Sequence, residues 1–428
     1  MPEGAQRRNI PLVQAFKELI TQHRGGDINA LSHRLAHLLL NYAIQAGASD
    51  IHFDPKPDAV LVRFRIDGLL HEQLSYPQTD FTIVPALRVA AGFAPRAAVS
   101  YTPEDGRFDV EVEGRNVQFR VSSFPSIYGD KLVLRLLDLG KEAITIDRLG
   151  VSADQLAKIR QLIQQPSGLF IVAGMTGCGK STTLNCILSE LSRPELNIMT
   201  LEDPVEYVLP RVTHSQINYK AGFGFAEGLR TLLRQDPDIV MLGEMRDAET
   251  AETAIRAALT GHLLFSTVHA ASCVGVIHRL KGMNVEPFLL SSSLLGVLGQ
   301  RLMRMLCPAC SEPDEPNVRF LKILAAILEP DLARRATAIL TQPGAKLRKP
   351  RGCPACGMSG YKRRVGIFEL LTVDDDLRSV ISGKETDIVT LRRAAAQAGM
   401  RPLLLDALDK AAAGITSQEE ALRVAAEN

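Results

Sequence analysis

Leu169-Phe-Ile-Val-Ala173 runs without a break into Gly174-Met175-Thr176-Gly177-Cys178-Gly179-Lys180-Ser181, and a stretch of helical spacing, Thr182 to Leu191, follows. A short apolar run, a turn rich in small residues and then a helix make a strand–loop–helix unit. The loop satisfies G-x-x-x-x-G-K-[ST]. Its glycines let the backbone wrap closely enough for N–H groups to point at phosphate oxygens. The start of the following helix adds a dipole that favours anions. Lys180 supplies a point charge for β- and γ-phosphates, and the Ser181 hydroxyl supplies a ligand for Mg²⁺. The loop therefore reads as a site for ATP and its magnesium, contacted by Gly174, Thr176, Gly177, Cys178, Gly179, Lys180, Ser181 and Thr182.

Working outward, three more short apolar runs alternate with helical stretches: Ile198 to Leu201, Ile239 to Leu242 and Leu263 to Ser266. Runs apolar on both faces belong to a parallel sheet covered by helices, so the fold class over 153–300 is α/β. Residues 31–140 read differently. Leu31, Leu35, Leu38, Leu39 and Ala43 have helical spacing, and then Val60, Val62, Phe64 and Ile66 alternate up to an Asp67-Gly68 hairpin signal. A second alternating run, Phe108 to Val121, is broken at Glu113-Gly114, and Lys131 to Leu137 follows. This is a smaller α+β domain, preceded by a tail over 1–30 with one short helix and followed by a linker over 141–152. A cysteine-bearing insert is expected over 301–366 and a helical, Ala- and Leu-rich subdomain over 367–428.

Acids follow two of the buried runs. Glu202 and Asp203 stand at the end of the second, at the carboxyl edge where a parallel sheet meets its ligand, and either is placed to polarise an attacking water. Glu244, after Gly243, ends the third run as an acid that holds Mg²⁺ directly or through water. His269 follows the fourth run and is placed to sense a γ-phosphate, whereas His262 at that run's start reads as structural. Cys307-Pro-Ala-Cys310 and Cys353-Pro-Ala-Cys356 form two C-x-x-C knuckles, a pattern for tetrahedral Zn²⁺ rather than a redox pair, because no thioredoxin-like βαβ unit surrounds them.

Composition narrows the class. The 428 residues carry 49 Lys and Arg against 48 Asp and Glu, so a general nucleic-acid binder, which needs a basic excess on some face, is not expected. Seven cysteines in a chain this long exclude a disulfide-stapled secreted scaffold. Met1 to Phe16 lacks the apolar stretch of a signal peptide. The most apolar stretch, Leu289 to Leu298, is interrupted by Ser and Gly and stops at Gln300-Arg301. The expected location is the cytoplasm.

Taken in order, these motifs resemble the secretion ATPase superfamily, and within it the GspE/PilB type that powers type II secretion and type IV pilus assembly. The resemblance spans roughly residues 30 to 425. Its anchors are Ser49-Asp-Ile-His52, Arg63 to Gly68, the phosphate loop, Glu202-Asp-Pro-Val-Glu206, Leu233-Arg-Gln-Asp-Pro-Asp238, Gly243-Glu-Met-Arg-Asp247, Leu259-Thr-Gly-His262 and Gly360 to Glu369. It implies a homohexameric ring with a RecA-like motor domain, nucleotide held where that domain meets the N-terminal one, and an inner-membrane platform protein as partner. By the match, Glu202 is the catalytic acid, Glu244 the Mg²⁺-site acid and His269 the γ-phosphate contact, with Arg107 and Arg88 completing the site from the first domain. Met175, Cys178, Ala270 and Ala271 depart from the usual pattern, and the family's long members carry a further domain ahead of the first one. The knuckles, absent from the pilus-retraction relatives, favour secretion or assembly. The alternative is a non-hydrolysing, nucleotide-gated scaffold of the same machinery.

Overall fold

A computed structural model describes residues 12–23, 26–93, 102–112, 115–137, 145–383 and 387–425. The Glu113-Gly114 break and residues 141–144 of the expected linker lie outside them. The chain divides into two compact units, Met1–Glu142 and Ala143–Asn428.

The first unit is built on six strands, β1 (Ala48–Pro55), β2 (Ala59–Ile66), β3 (Leu69–Pro77), β4 (Glu104–Val112), β5 (Arg115–Ser126) and β6 (Gly129–Leu137). They form one antiparallel sheet in the order β3-β2-β1-β6-β5-β4. Asp67 and Gly68 both take positive φ, as a two-residue hairpin between β2 and β3 demands. Period-two alternation sends Ile51, Phe53, Val62, Phe64, Phe119, Val121, Leu132 and Leu134 to one face. There they meet Leu31, Leu35, Leu39 and Ala43 of the helix Ile28–Gln45, which Asp27 caps by accepting from the Asn29 N–H. The opposite face carries a charged ladder. Asp50 is paired with Arg135 at 2.9 Å, and Asp54 with Arg63 and Lys131 at 2.6 Å each.

The second unit carries β7 (Gly168–Ala173), β8 (Ile198–Glu202), β9 (Val212–Gln216), β10 (Ile239–Leu242), β11 (Leu263–Val268), β12 (Leu294–Leu306), β13 (Glu312–Pro313), β14 (Arg348–Lys349) and β15 (Tyr361–Thr372). Seven of them make one sheet in the order β15-β12-β7-β11-β10-β8-β9, parallel throughout except for β15. Both faces are covered, which is why the strands read as unbroken apolar runs. Leu169, Ile171 and Ala173 enter one core, and Phe170 and Val172 enter the other.

The chain parts from the sequence reading at β12. Gln300 and Arg301 do not end the apolar stretch but lie inside a thirteen-residue strand, both buried. Because β12 runs to Leu306 and β15 starts at Tyr361, the segment outside the main sheet is 307–360. Within it, β13 pairs with β14 and encloses the helices Val318–Ile327 and Pro330–Thr341. Phe320, Leu324, Ala336 and Leu340 of these helices share one core with Leu405 and Leu408 of the helix Leu403–Ala412. A single apolar cluster thus joins the expected insert to the expected C-terminal subdomain. The fold is the expected α/β fold, with an α+β first unit and the four-cysteine segment attached.

Candidate functional site

Parallel strands place their outgoing loops on one edge of the sheet. β7 ends at Ala173, β8 at Glu202, β10 at Leu242 and β11 at Val268, so the phosphate loop, Glu202, Glu244 and His269 all leave that edge. Three hydrogen bonds tie it together. The Gly243 N–H donates to Leu201 O at 2.8 Å, the Thr267 hydroxyl to Gly243 O at 2.6 Å, and the Met245 N–H to Thr267 O at 3.0 Å.

The loop itself needs its glycines. Gly174 has φ +156°, and a Cβ there would stand 2.4 Å from the Cys178 sulfur and 2.6 Å from the Gln300 carbonyl oxygen. Gly179 takes φ +91° as the N-cap of the helix Lys180–Leu191. A buried amide braces the turn from β12. Gln300 donates from Nε2 to Cys178 O at 2.6 Å and accepts on Oε1 from the Thr183 hydroxyl at 2.7 Å. The Lys180 ammonium is folded onto its own loop, donating to Gly174 O at 2.9 Å and Met175 O at 3.2 Å.

Lys180 also lies close enough to His269 for its charge to act there. Burial, followed by the Lys180 charge, holds His269 below the usual imidazole range, with Glu244 pulling the other way. His269 Nε2 lies 3.4 Å from Glu244 Oε2, and Arg246 Nη2 donates to Glu244 Oε1. A neutral imidazole, a carboxylate and an ammonium thus stand around the mouth of one phosphate loop. Asp203, the other acid considered for the water, is 3.9 Å from Arg246. His262, just before β11, turns back on the preceding helix Ala248–Leu259, its Nδ1 3.1 Å from Ala257 O.

Glu202 is buried and engaged on one oxygen. Its Oε1 accepts from the Thr200 hydroxyl at 2.6 Å and lies 2.8 Å from His214 Nδ1. His214 on β9 and Thr200 on β8 are register partners. Reading the sequence did not find His214, Thr200 or Gln300. A polar residue inside an otherwise buried strand is the signal that marks Gln300.

The two arginines expected to complete the site belong to the first unit. Arg107 is exposed on β4. Arg88, on the helix Ile83–Ala90, is neither exposed nor free. Its guanidinium is buried and bound to Glu104 at 2.5 Å, Asp130 at 2.9 Å and the Ser123 hydroxyl at 2.6 Å.

A second centre lies where β12 and β15 leave the sheet. The sulfurs of Cys307, Cys310, Cys353 and Cys356 lie within 4.8 Å of one another. Cys307 and Cys353 are 3.9 Å apart, Cys310 and Cys356 3.9 Å, and Cys353 and Cys356 3.7 Å. Four sulfurs on a tetrahedral ion at about 2.3 Å would be about 3.8 Å apart, so the spacing fits a metal of that size. Burial raises the Cys356 thiol, but the N–H groups of Cys353 and Gly360 outweigh that and bring it to about 6, towards the thiolate a metal requires.

The comparisons agree with one another. A model of the family described as "Type II/IV secretion system protein" matches residues 27–423. The chain is 42% identical over 404 residues to type II secretion system protein E of Dickeya dadantii, covering 94% of this chain and 77% of that one. It is 42% identical over 396 residues to the type II secretion system ATPase E of Vibrio cholerae, covering 92% and 75%. With the type IV pilus assembly ATPase PilB of Thermus thermophilus it shares 39% over 389 residues, 90% of this chain but 42% of that protein. Among solved structures, the Legionella pneumophila ATPase DotB superposes with a TM-score of 0.65 at 20% identity, over 92% and 95% of the two chains. The pilus retraction motor PilT, solved with bound ADP, gives 0.58 at 25% identity, over 90% and 95%.

Proposed function

This chain belongs to the type II/IV secretion system protein family, and on that premise we propose that it is an ATP-hydrolysing motor for type II secretion or type IV pilus assembly. The observation that carries the reading is the convergence of Lys180, Glu244 and His269 on one phosphate loop at the carboxyl edge of a parallel sheet.

In this reading the backbone N–H groups of 174–181 cradle the phosphates, and Lys180 exchanges its loop carbonyls for phosphate oxygens. Magnesium, held through the Ser181 hydroxyl with Glu244 nearby, would neutralise charge on the β- and γ-phosphates. Glu202, with Oε1 already occupied, offers Oε2 to orient the attacking water, and a positioned base of this kind is worth about 10²-fold in rate or more. His269 reports the γ-phosphate. Arg107, exposed on β4, is the arginine we assign to the developing charge. Arg88 holds β4 through Glu104, three residues before Arg107, and so supports that arginine.

The homohexameric ring, the domain rotation and the inner-membrane platform partner belong to this proposal too. Among the described residues no helix is long and apolar enough to cross a membrane. Work at the cytoplasmic face of the inner membrane, attached through partners, is the proposed setting. The four cysteines are proposed to hold one structural Zn²⁺ per chain. Metal analysis of protein purified without chelator should return that stoichiometry, and no zinc would overturn the assignment.

The deciding measurement is Mg²⁺-dependent phosphate release by the full chain beside Lys180→Ala. Turnover in the parent and its loss in the variant are expected. A parent that binds ATP without hydrolysing it would make the chain a nucleotide-gated scaffold.

A further inference from the structure

We infer that His214 is the positioning residue that sets Glu202 in its working orientation. The inference rests on the reading of Glu202 as the group that orients water.

His214 is fixed at both ring nitrogens. Its Nε2 accepts from the Leu209 N–H at 3.0 Å, so in this arrangement the ring proton sits on Nδ1. Nδ1–H then faces Glu202 Oε1 at 2.8 Å and the Thr200 hydroxyl oxygen at 3.0 Å, while that hydroxyl donates to the same Oε1 at 2.6 Å. Two donors therefore converge on one carboxylate oxygen. Among the described residues no protein donor is seated on Oε2, so the second oxygen is the one left for water.

The setting is dry. The side chains of His214 and Glu202 are 7% and 5% exposed, and a hydrogen bond to a carboxylate counts for more there than in water. An imidazole suits the place because it offers a donor and an acceptor at opposite ends of one rigid ring. One end holds the acid on β8 and the other holds the loop that leaves β8 and returns as β9 at Val212. β9 is the last strand of the sheet, so only β8 supports it through the ladder. The ring adds a second tie between the two strands, and that tie ends on the proposed catalytic carboxylate.

Two substitutions in the full chain separate the two ends of the ring. His214→Asn puts an amide donor near the place of Nδ1 and gives up the bond from Leu209. His214→Gln reaches the place of Nε2, keeps an acceptor for Leu209 and gives up the donor to Glu202. For Mg-ATP hydrolysis, His214→Asn should keep kcat within about threefold of the parent even with a lowered Tm. His214→Gln should lose about tenfold or more in kcat, with KM little changed and Tm close to the parent, since misplacing a catalytic group by about 1 Å costs on that order. In a Glu202→Gln background, His214→Gln should cause no further loss. A merely structural His214 would make kcat follow Tm in both variants and persist on top of Glu202→Gln, which would overturn the inference. So would parental kcat in His214→Gln alongside an inactive Glu202→Gln. If Glu202→Gln itself turns over normally, the reading of Glu202 fails first and the inference goes with it.

Discussion

A methyl group at residue 174 has nowhere to go. It would stand inside contact distance of the Cys178 sulfur and the Gln300 carbonyl, at a φ that side chains rarely adopt. Gly174→Ala should therefore fold, because the clash is confined to the loop, yet bind a fluorescent ATP analogue at least tenfold more weakly. Titration of the variant beside the parent checks this, and equal affinity would show that the loop relaxes freely. The phosphate loop was legible because its chemistry is carried by consecutive residues. His214 and Gln300 were not, because their partners are remote in sequence. Glu202 lies 12 residues from His214 and Thr183 lies 117 residues from Gln300. Arg88 was named as a candidate from its place in the first domain, but nothing local to it announced two carboxylates and a hydroxyl closing on its guanidinium.

Elements buried on both faces were legible from their apolar runs, and β12 was not. It carries Gln300, Arg301 and Arg304; the phosphate loop and the helix after it satisfy Gln300, and the partners that allow the two arginines inside a strand come from the far end of the chain. Arg304 gives its backbone N–H to Glu420 Oε1 at 3.0 Å and Nη2 to Oε2 at 2.8 Å, and Arg301 reaches Val424 O at 2.5 Å. Burial pushes the Glu420 carboxyl up, but Arg423 and Arg304 more than reverse that and hold it at about 2. The sign follows. A carboxyl at about 2 when folded and at its ordinary 4.5 when unfolded stabilises the fold above pH 4.5, and that stabilisation is lost as pH falls through 4.5 towards 2. Its size is about 3 kcal/mol. Denaturant unfolding followed from pH 7 down to pH 3 should show this acid loss in the parent and a flatter profile in Glu420→Gln, which starts less stable. An unchanged acid limb in the variant would remove Glu420 as its source.

At the scale of the molecule, the two units differ in how they would enter the chemistry. The second carries the phosphate loop, Glu202, Glu244 and His269, while the first offers Arg107. If Arg107 acts on the developing charge, Arg107→Ala should lower kcat by at least tenfold with ATP affinity nearly unchanged. If rings are the active form, turnover per chain of the parent should rise with protein concentration. Loss of affinity instead of rate would make Arg107 a binding residue, and constant specific activity across dilution would make the single chain sufficient. The two-unit plan was legible because hydrophobic period changes between them, from two to continuous runs. The shared core of the four-cysteine segment and the C-terminal helices was not, since its halves are separated by β15. β12 itself has a last consequence. Gln300 grips the phosphate loop and Cys307 follows the strand's end directly, while β15 lies along β12 through most of that length. Successive residues of a strand point to opposite sides, so one codon gained or lost between 300 and 304, ahead of the shifted register at Arg304–Leu306, would turn the strand's following side chains to the wrong side and displace Cys307 from its three companions. Between Asp314 and Lys346 the two helices are held by their shared core, and only the turns at 328–329 and 342–346 bear no such constraint. Drift in chain length is therefore tolerable in those turns and forbidden in the rail that leads to them.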